Sequence, residues 1–127
     1  MDNIRIEGTP KTPTVDFNAA NGELLLQGRS IPENSIDFYQ PLISWVEAYA
    51  SNPAENTTVS IQLEYFNTSS SKCLLDIFKK LEAIHRSGKA VTVKWHYEED
   101  DEDMLEAGED YDAIIEIDFD MVKVAAF

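Results

Sequence analysis

Two stretches of strict alternation constrain this chain more than any other feature. Val59, Ile61, Leu63 and Tyr65 alternate with Ser60, Gln62 and Glu64, and Val91, Val93, Trp95 and Tyr97 alternate with Thr92, Lys94 and His96. A period of two puts every second side chain on one face of a strand, so each strand has an apolar and a polar face. Between them, Leu74, Ile77, Phe78, Leu81 and Ile84 recur at helical spacing. A strand–helix–strand succession calls for parallel pairing through a crossover. Parallel strands covered by helices on both faces read as continuous apolar runs, and these do not. The expected fold class is therefore α/β: a mixed β-sheet with helices layered mainly on one face and water on the other.

The remaining elements fit around that centre. Ile4 and Ile6 predict a short strand, which Thr9-Pro10-Lys11-Thr12-Pro13 cuts off. Strands over Thr14–Asn18 and Glu23–Gln27 flank Ala19-Ala20-Asn21-Gly22, whose Asn-Gly pair reads as a hairpin turn. Pro32-Glu33-Asn34-Ser35 reads as a helix entry with Asn34 or Ser35 as N-cap. Ile36, Tyr39, Leu42, Ile43, Val46 and Tyr49 continue it, and Pro41, lacking a backbone donor, is expected to kink or restart that helix. Gly88 suits the residue just past the next helix. A short acidic helix around Glu102–Gly108 and a last strand over Ile114–Phe119 complete the reading. No repeat or linker divides residues 1–127, which are expected to form one domain.

Charge narrows the partners. The formal charge of −14 argues against nucleic acid or an anionic membrane, both of which would repel the chain. Of 24 acidic residues, 13 lie between Glu98 and Asp120, a stretch without Lys or Arg. Such a run is ordinarily a solvated face; its functional reading is a docking surface for a basic partner or a weak divalent-metal site. Asp100-Asp101-Glu102-Asp103 lacks the spacing of a calcium loop, so no metal or other cofactor is expected. No apolar run approaches the roughly 18 residues of a membrane span, and Met1-Asp2-Asn3-Ile4-Arg5 has no signal-peptide pattern. The lone Cys73 makes no internal disulfide, which suits a reducing cytoplasm. Trp45 and Trp95 are expected core anchors whose indole N–H groups need partners.

The candidate site is the turn where the strand ending at Tyr65 hands over to a helix. Asn67 is followed there by four hydroxyls, Thr68, Ser69, Ser70 and Ser71. Backbone N–H groups at a helix start are unpaired, so such a spot can be a cap, an anion site or a phosphorylation switch. Capping needs one hydroxyl, worth about 1 kcal/mol, and Asn67 is itself able to cap or hold an Asx-turn. If strands 23–28, 57–65 and 91–97 are parallel, the cluster shares the sheet's C-terminal edge with Asn34, Ser35, His96 and the start of the acidic run. Enzymatic use of a hydroxyl requires a nearby base. His85, 15 residues beyond Ser70 on the same helix, is more than about 20 Å away. Only His96 remains, and no Gly-rich phosphate loop or nucleophile elbow is present.

Taken in order, Pro32-Glu33-Asn34-Ser35, Trp45 with Tyr49, Glu64-Tyr65-Phe66-Asn67-Thr68-Ser69-Ser70 and Val93-Lys94-Trp95-His96-Tyr97 resemble the SiaC-type regulatory phosphoproteins. The resemblance covers nearly the whole chain, beginning near Gly8-Thr9-Pro10. It implies a fold similar to the STAS domain of anti-anti-sigma factors. It also implies a non-enzymatic switch, phosphorylated on the threonine matching Thr68, with Ser69 and Ser70 as neighbouring alternatives. A serine/threonine kinase adds the phosphate in such proteins and a metal-dependent phosphatase removes it. The unmodified form binds and activates a diguanylate cyclase, promoting cyclic-di-GMP signalling and surface-attached growth. The residues gathered at the sheet's C-terminal edge, Asn34, Ser35, Asn67, Thr68, Ser69, Ser70 and Ser71, are the expected partner-binding set.

Two other functions fit the same residues. One is an anti-anti-sigma-type partner switch that captures a kinase-like anti-sigma factor. The other is a small enzyme or acidic metal-binding protein using Thr68 with His96 or with Asp100 to Asp103.

Overall fold

The computed structural model describes all 127 residues. A six-stranded sheet runs in the order of the sequence: β1 (Ile4–Ile6), β2 (Thr14–Asn18), β3 (Glu23–Ser30), β4 (Asn56–Phe66), β5 (Ala90–Glu98) and β6 (Asp118–Val124). β1, β2 and β3 pair antiparallel, whereas β3 to β6 pair parallel. Helices α1 (Ser35–Tyr49), α2 (Thr68–Arg86) and α3 (Glu102–Ile114) make the three crossovers. Crossovers of parallel strands share one hand. Because this sheet grows in one direction only, that shared hand puts every helix on the same face. The mixed sheet with one helical layer read from the alternation is what forms.

The core lies between the layers. Val59, Ile61 and Leu63 from β4 and Val91, Val93 and Trp95 from β5 are all buried there, against Leu74, Ile77, Phe78 and Leu81 of α2. The opposite face is polar and open. Asp16, Leu25, Ser60, Lys94 and Asp120 lie in register across it, around a shallow depression of about 390 Å³. Both tryptophans are anchors with their N–H groups paired, Trp45 Nε1 to the Asp2 carbonyl at 2.8 Å and Trp95 Nε1 to the Met104 carbonyl at 2.9 Å.

Three local expectations need correction. Pro41 does not restart α1, which runs unbroken from Ser35 to Tyr49. Pro41 and Asp37, whose carbonyl loses its donor, are both exposed, so water can take that carbonyl while Tyr39, Leu42, Trp45 and Val46 stay packed. α3 extends beyond Gly108 to Ile114, and the last strand is Asp118–Val124 rather than Ile114–Phe119. Met104, Gly108, Tyr111 and Ile115 are the buried line of that helix and its end. Ile114 and Ile115, read as a strand, thus belong to a period of 3.6, not 2.

Gly108 lets α3 approach the sheet. A Cβ there would stand 2.5 Å from Trp95 Cδ1. Gly108→Ala should therefore destabilise the fold by about 1–3 kcal/mol, since the fully buried indole cannot retreat. A lowered urea midpoint with unchanged slope is the expected result.

Candidate functional site

Parallel pairing of β3, β4 and β5 brings the starts of α1, α2 and α3 to one edge of the sheet. The β3–β4 register slips between Gly28 and Arg29, leaving Glu64 as an extra residue just ahead of the turn. Tyr65, which follows, is 52 % exposed.

Asparagines cap the first two helices. Asn34 Oδ1 accepts from the Asp37 N–H at 3.1 Å, and Asn67 Oδ1 accepts from the Ser70 N–H at 2.8 Å. None of the four hydroxyls is the cap of α2. Their environments then diverge sharply.

Ser70 is fully buried. Its Oγ donates to the Ser30 carbonyl at 3.1 Å and accepts from Ser30 Oγ at 2.8 Å. Ser30 Oγ is also 2.6 Å from the Tyr39 hydroxyl. Ser35, 4 % exposed, bonds Ser69 Oγ at 2.7 Å and lies 3.4 Å from Ser70 Oγ. This chain of hydroxyls ties the starts of α1 and α2 to the end of β3. Burial pushes the Tyr39 phenol up to about 12, with its hydrogen bond to Ser30 pulling the other way.

The surface hydroxyls differ again. Ser69 is exposed, but its Oγ is held by Ser35 and donates to Asn67 Oδ1 at 3.2 Å. Ser71 Oγ donates to the Thr68 carbonyl at 3.0 Å. Thr68, the first residue of α2, is exposed and its hydroxyl makes no hydrogen bond. The backbone N–H groups of Thr68 and Ser69 have no partner in the protein either. An unengaged hydroxyl thus stands beside two free donors at the positive end of a 19-residue helix.

Several expected members of the site are not brought together. Ser35 and Ser70, expected at the surface, are instead buried and serve the hydroxyl chain. His96 points to the open face of the sheet, with Nδ1 3.1 Å from the Lys94 carbonyl oxygen, and does not meet Thr68. No three His, Cys, Asp or Glu side chains converge closely enough to hold a metal ion, Asp100 to Asp103 included. Cys73 is buried, which pushes its thiol up. Ser30 and Tyr39 were missed in the sequence. Their only signal was a polar residue at the end of a strand and a tyrosine on an apolar helix face.

These features describe a small α/β protein whose accessible chemistry is one hydroxyl at a helix start. The sequence pattern of the SiaC family of regulatory phosphoproteins matches residues 6–124. The chain belongs to that family. An uncharacterized protein of Pseudomonas aeruginosa, PA14_02130, is 35 % identical over 111 residues, covering 87 % of this chain and 88 % of the relative. SiaC of Pseudomonas aeruginosa has a similar structure, with a TM-score of 0.90 and 31 % identity over 98 % of this chain and 100 % of that one. A crystal structure of the diguanylate cyclase SiaD in complex with its activator SiaC, from the same organism, matches at a TM-score of 0.89. That match has 32 % identity and covers 95 % of this chain and 99 % of that chain.

The cap and the unengaged hydroxyl separate energetically. Asn67→Ala should cost about 1 kcal/mol of stability, and Thr68→Ala less than about 0.5 kcal/mol, by chemical denaturation. Tyr111 is also raised to about 12 by burial, its hydroxyl donating to the Ser71 carbonyl at 2.8 Å. Both phenols stay protonated in the fold where the unfolded chain would ionise near pH 10. Stability from this source is intact below pH 10 and falls as pH rises towards 12. Phenolate absorbance of the folded protein should accordingly show Tyr39 and Tyr111 ionising only towards pH 12.

Proposed function

We propose that this protein is a binding switch: with Thr68 unmodified it engages and activates a diguanylate cyclase, and phosphate on Thr68 releases it. The observation that carries this reading is the state of Thr68. It is the one hydroxyl of the turn that is both exposed and free of hydrogen bonds. Membership of a regulatory phosphoprotein family supports it, as does the solved complex in which the similar SiaC is the activator of SiaD.

The physics of the switch follows from the position. A phosphate adds about −1.5 to −2 charges and three acceptor oxygens. The free N–H groups of Thr68 and Ser69 and the helix dipole favour it by up to about 1 kcal/mol at an exposed site, so the fold survives. A partner seated over Thr68 must instead strip water from a dianion, at a cost of several kcal/mol unless it brings a cation. Each 1.4 kcal/mol is about tenfold in affinity. Exposed Ile36, on the residue after Ser35, and Tyr65, just before the turn, supply apolar surface for such a partner.

A serine/threonine kinase and a metal-dependent phosphatase set the state of Thr68 in this reading, in the cytoplasm. The protein acts by binding rather than turnover; neither histidine stands beside the hydroxyls, with His85 near the far end of α2.

Thr68→Ala is expected to stay folded and to bind the cognate cyclase as the unmodified protein does. Thr68→Asp and the phosphorylated protein should bind at least about tenfold more weakly by calorimetry. Equal affinity for all three forms would remove the proposal.

A further inference from the structure

α3 carries an apolar seam that the fold covers only in part. Met104, Ala107, Tyr111 and Ile114 follow one another at steps of three, four and three residues; Met104 and Tyr111 pack into the core and form the floor, and Ala107 and Ile114 are the part left open. That is the spacing by which one helix packs along another. Two grooves run beside it. The first, about 360 Å³, lies between α3 and the end of β4 and is walled by Tyr65, Phe66, Met104 and Ala107. The second, about 250 Å³, shares Phe66 and Ala107 and continues past Tyr111 to Ile114. Ile114 is 62 % exposed, an unusual position for a large aliphatic side chain that nothing covers. At about 1.5 Å per residue the seam is about 15 Å long, room for roughly three turns of a docked helix.

The rim sets the chemistry of the occupant. Asp103 and Asp110, one heptad apart, both line the grooves along one flank of the seam. Gly108 and Ile115, on the other flank, are buried in the protein itself. Glu64 and Asp101 close the end of the groove next to β4. No Lys or Arg occurs between Lys94 and Lys123, and none of the four ion pairs of the protein engages these carboxylates. The rim charge is uncompensated.

We propose that this seam is a docking site for a basic amphipathic helix. Apolar residues of the incoming helix at 3.5-residue spacing fill the grooves, while its flanking Lys or Arg side chains pair with Asp103 and Asp110. A second copy of this chain is a poor occupant, because packing α3 on α3 would bring carboxylates against carboxylates. The inference goes beyond the Thr68 switch and does not rest on it.

The test uses the full chain and two synthetic three-heptad peptides with leucine at both core positions. One carries lysine at the flanking positions, the other glutamate. The lysine peptide should bind one to one, with amide NMR shifts concentrated on Phe66, Ala107, Asp110 and Ile114, and at least about tenfold more tightly than its glutamate twin. Asp103 and Asp110 are exposed, so the double variant Asp103→Lys/Asp110→Lys should fold and reverse that preference. Ile114→Glu should weaken the lysine peptide at least about tenfold. Failure of the lysine peptide to bind, equal binding of the two peptides, shifts centred on the open sheet face, self-association through α3, or unchanged preference in the double variant each overturns the proposal.

Discussion

The buried hydroxyl of Ser70 is the interaction on which the rest of the candidate site depends. A fully buried polar group is costly unless its hydrogen bonds are made, and this one donates to the Ser30 carbonyl and accepts from the Ser30 hydroxyl. Through Ser30 it reaches Tyr39, and alongside it Ser35 reaches Ser69. The starts of α1 and α2 are therefore held to β3 by directional bonds and not by apolar contact alone. The protein leaves no buried side-chain polar atom unpartnered. Thr68 directly precedes Ser69 of this network, held in position by it yet outside it.

That division of labour explains why four adjacent hydroxyls coexist. One is structural and buried, one is exposed but bonded to the buried Ser35, one bonds back to the helix, and one is left unengaged. An unengaged hydroxyl can be modified without breaking the bonds that hold the turn. The helix start beneath it tolerates added negative charge, because its N–H groups and dipole favour an anion. The consequence of modification then falls on whatever docks there. The Thr68 face and the α3 seam meet at Tyr65 but differ in charge. The first offers a neutral surface that the proposed phosphorylation would make anionic, whereas the second is anionic already and carries an apolar stripe along it.

The parts of the fold that follow from a single period were legible in the residues. Alternation in β4 and β5 and the apolar face of α2 led to parallel strands, a one-sided helical layer and the edge where the turn lies. The misread parts are those where two periods overlap. Ile114-Ile115-Glu116-Ile117 fits a strand over four residues, but Ile115 ends a helical line that begins at Met104. Pro41 reads as a breaker, yet it lies on the exposed side of α1, where the carbonyl it leaves without a donor is open to solvent. Ser35 and Ser70 read as surface hydroxyls because composition carries no information on depth.

What the sequence by itself determined is local: strand and helix periods, asparagines able to cap, a run of hydroxyls at a strand-to-helix turn, and an acidic stretch without cations. These depend on neighbours a few residues apart, which is what a linear pattern records. Only the tertiary structure decided which hydroxyl is free. That choice turns on bonds between Ser30, Ser35 and Ser70, up to 40 residues apart, and on the parallel pairing that brings β3 beside β4. Depth and partnership across such distances are properties of packing, and no local pattern encodes them.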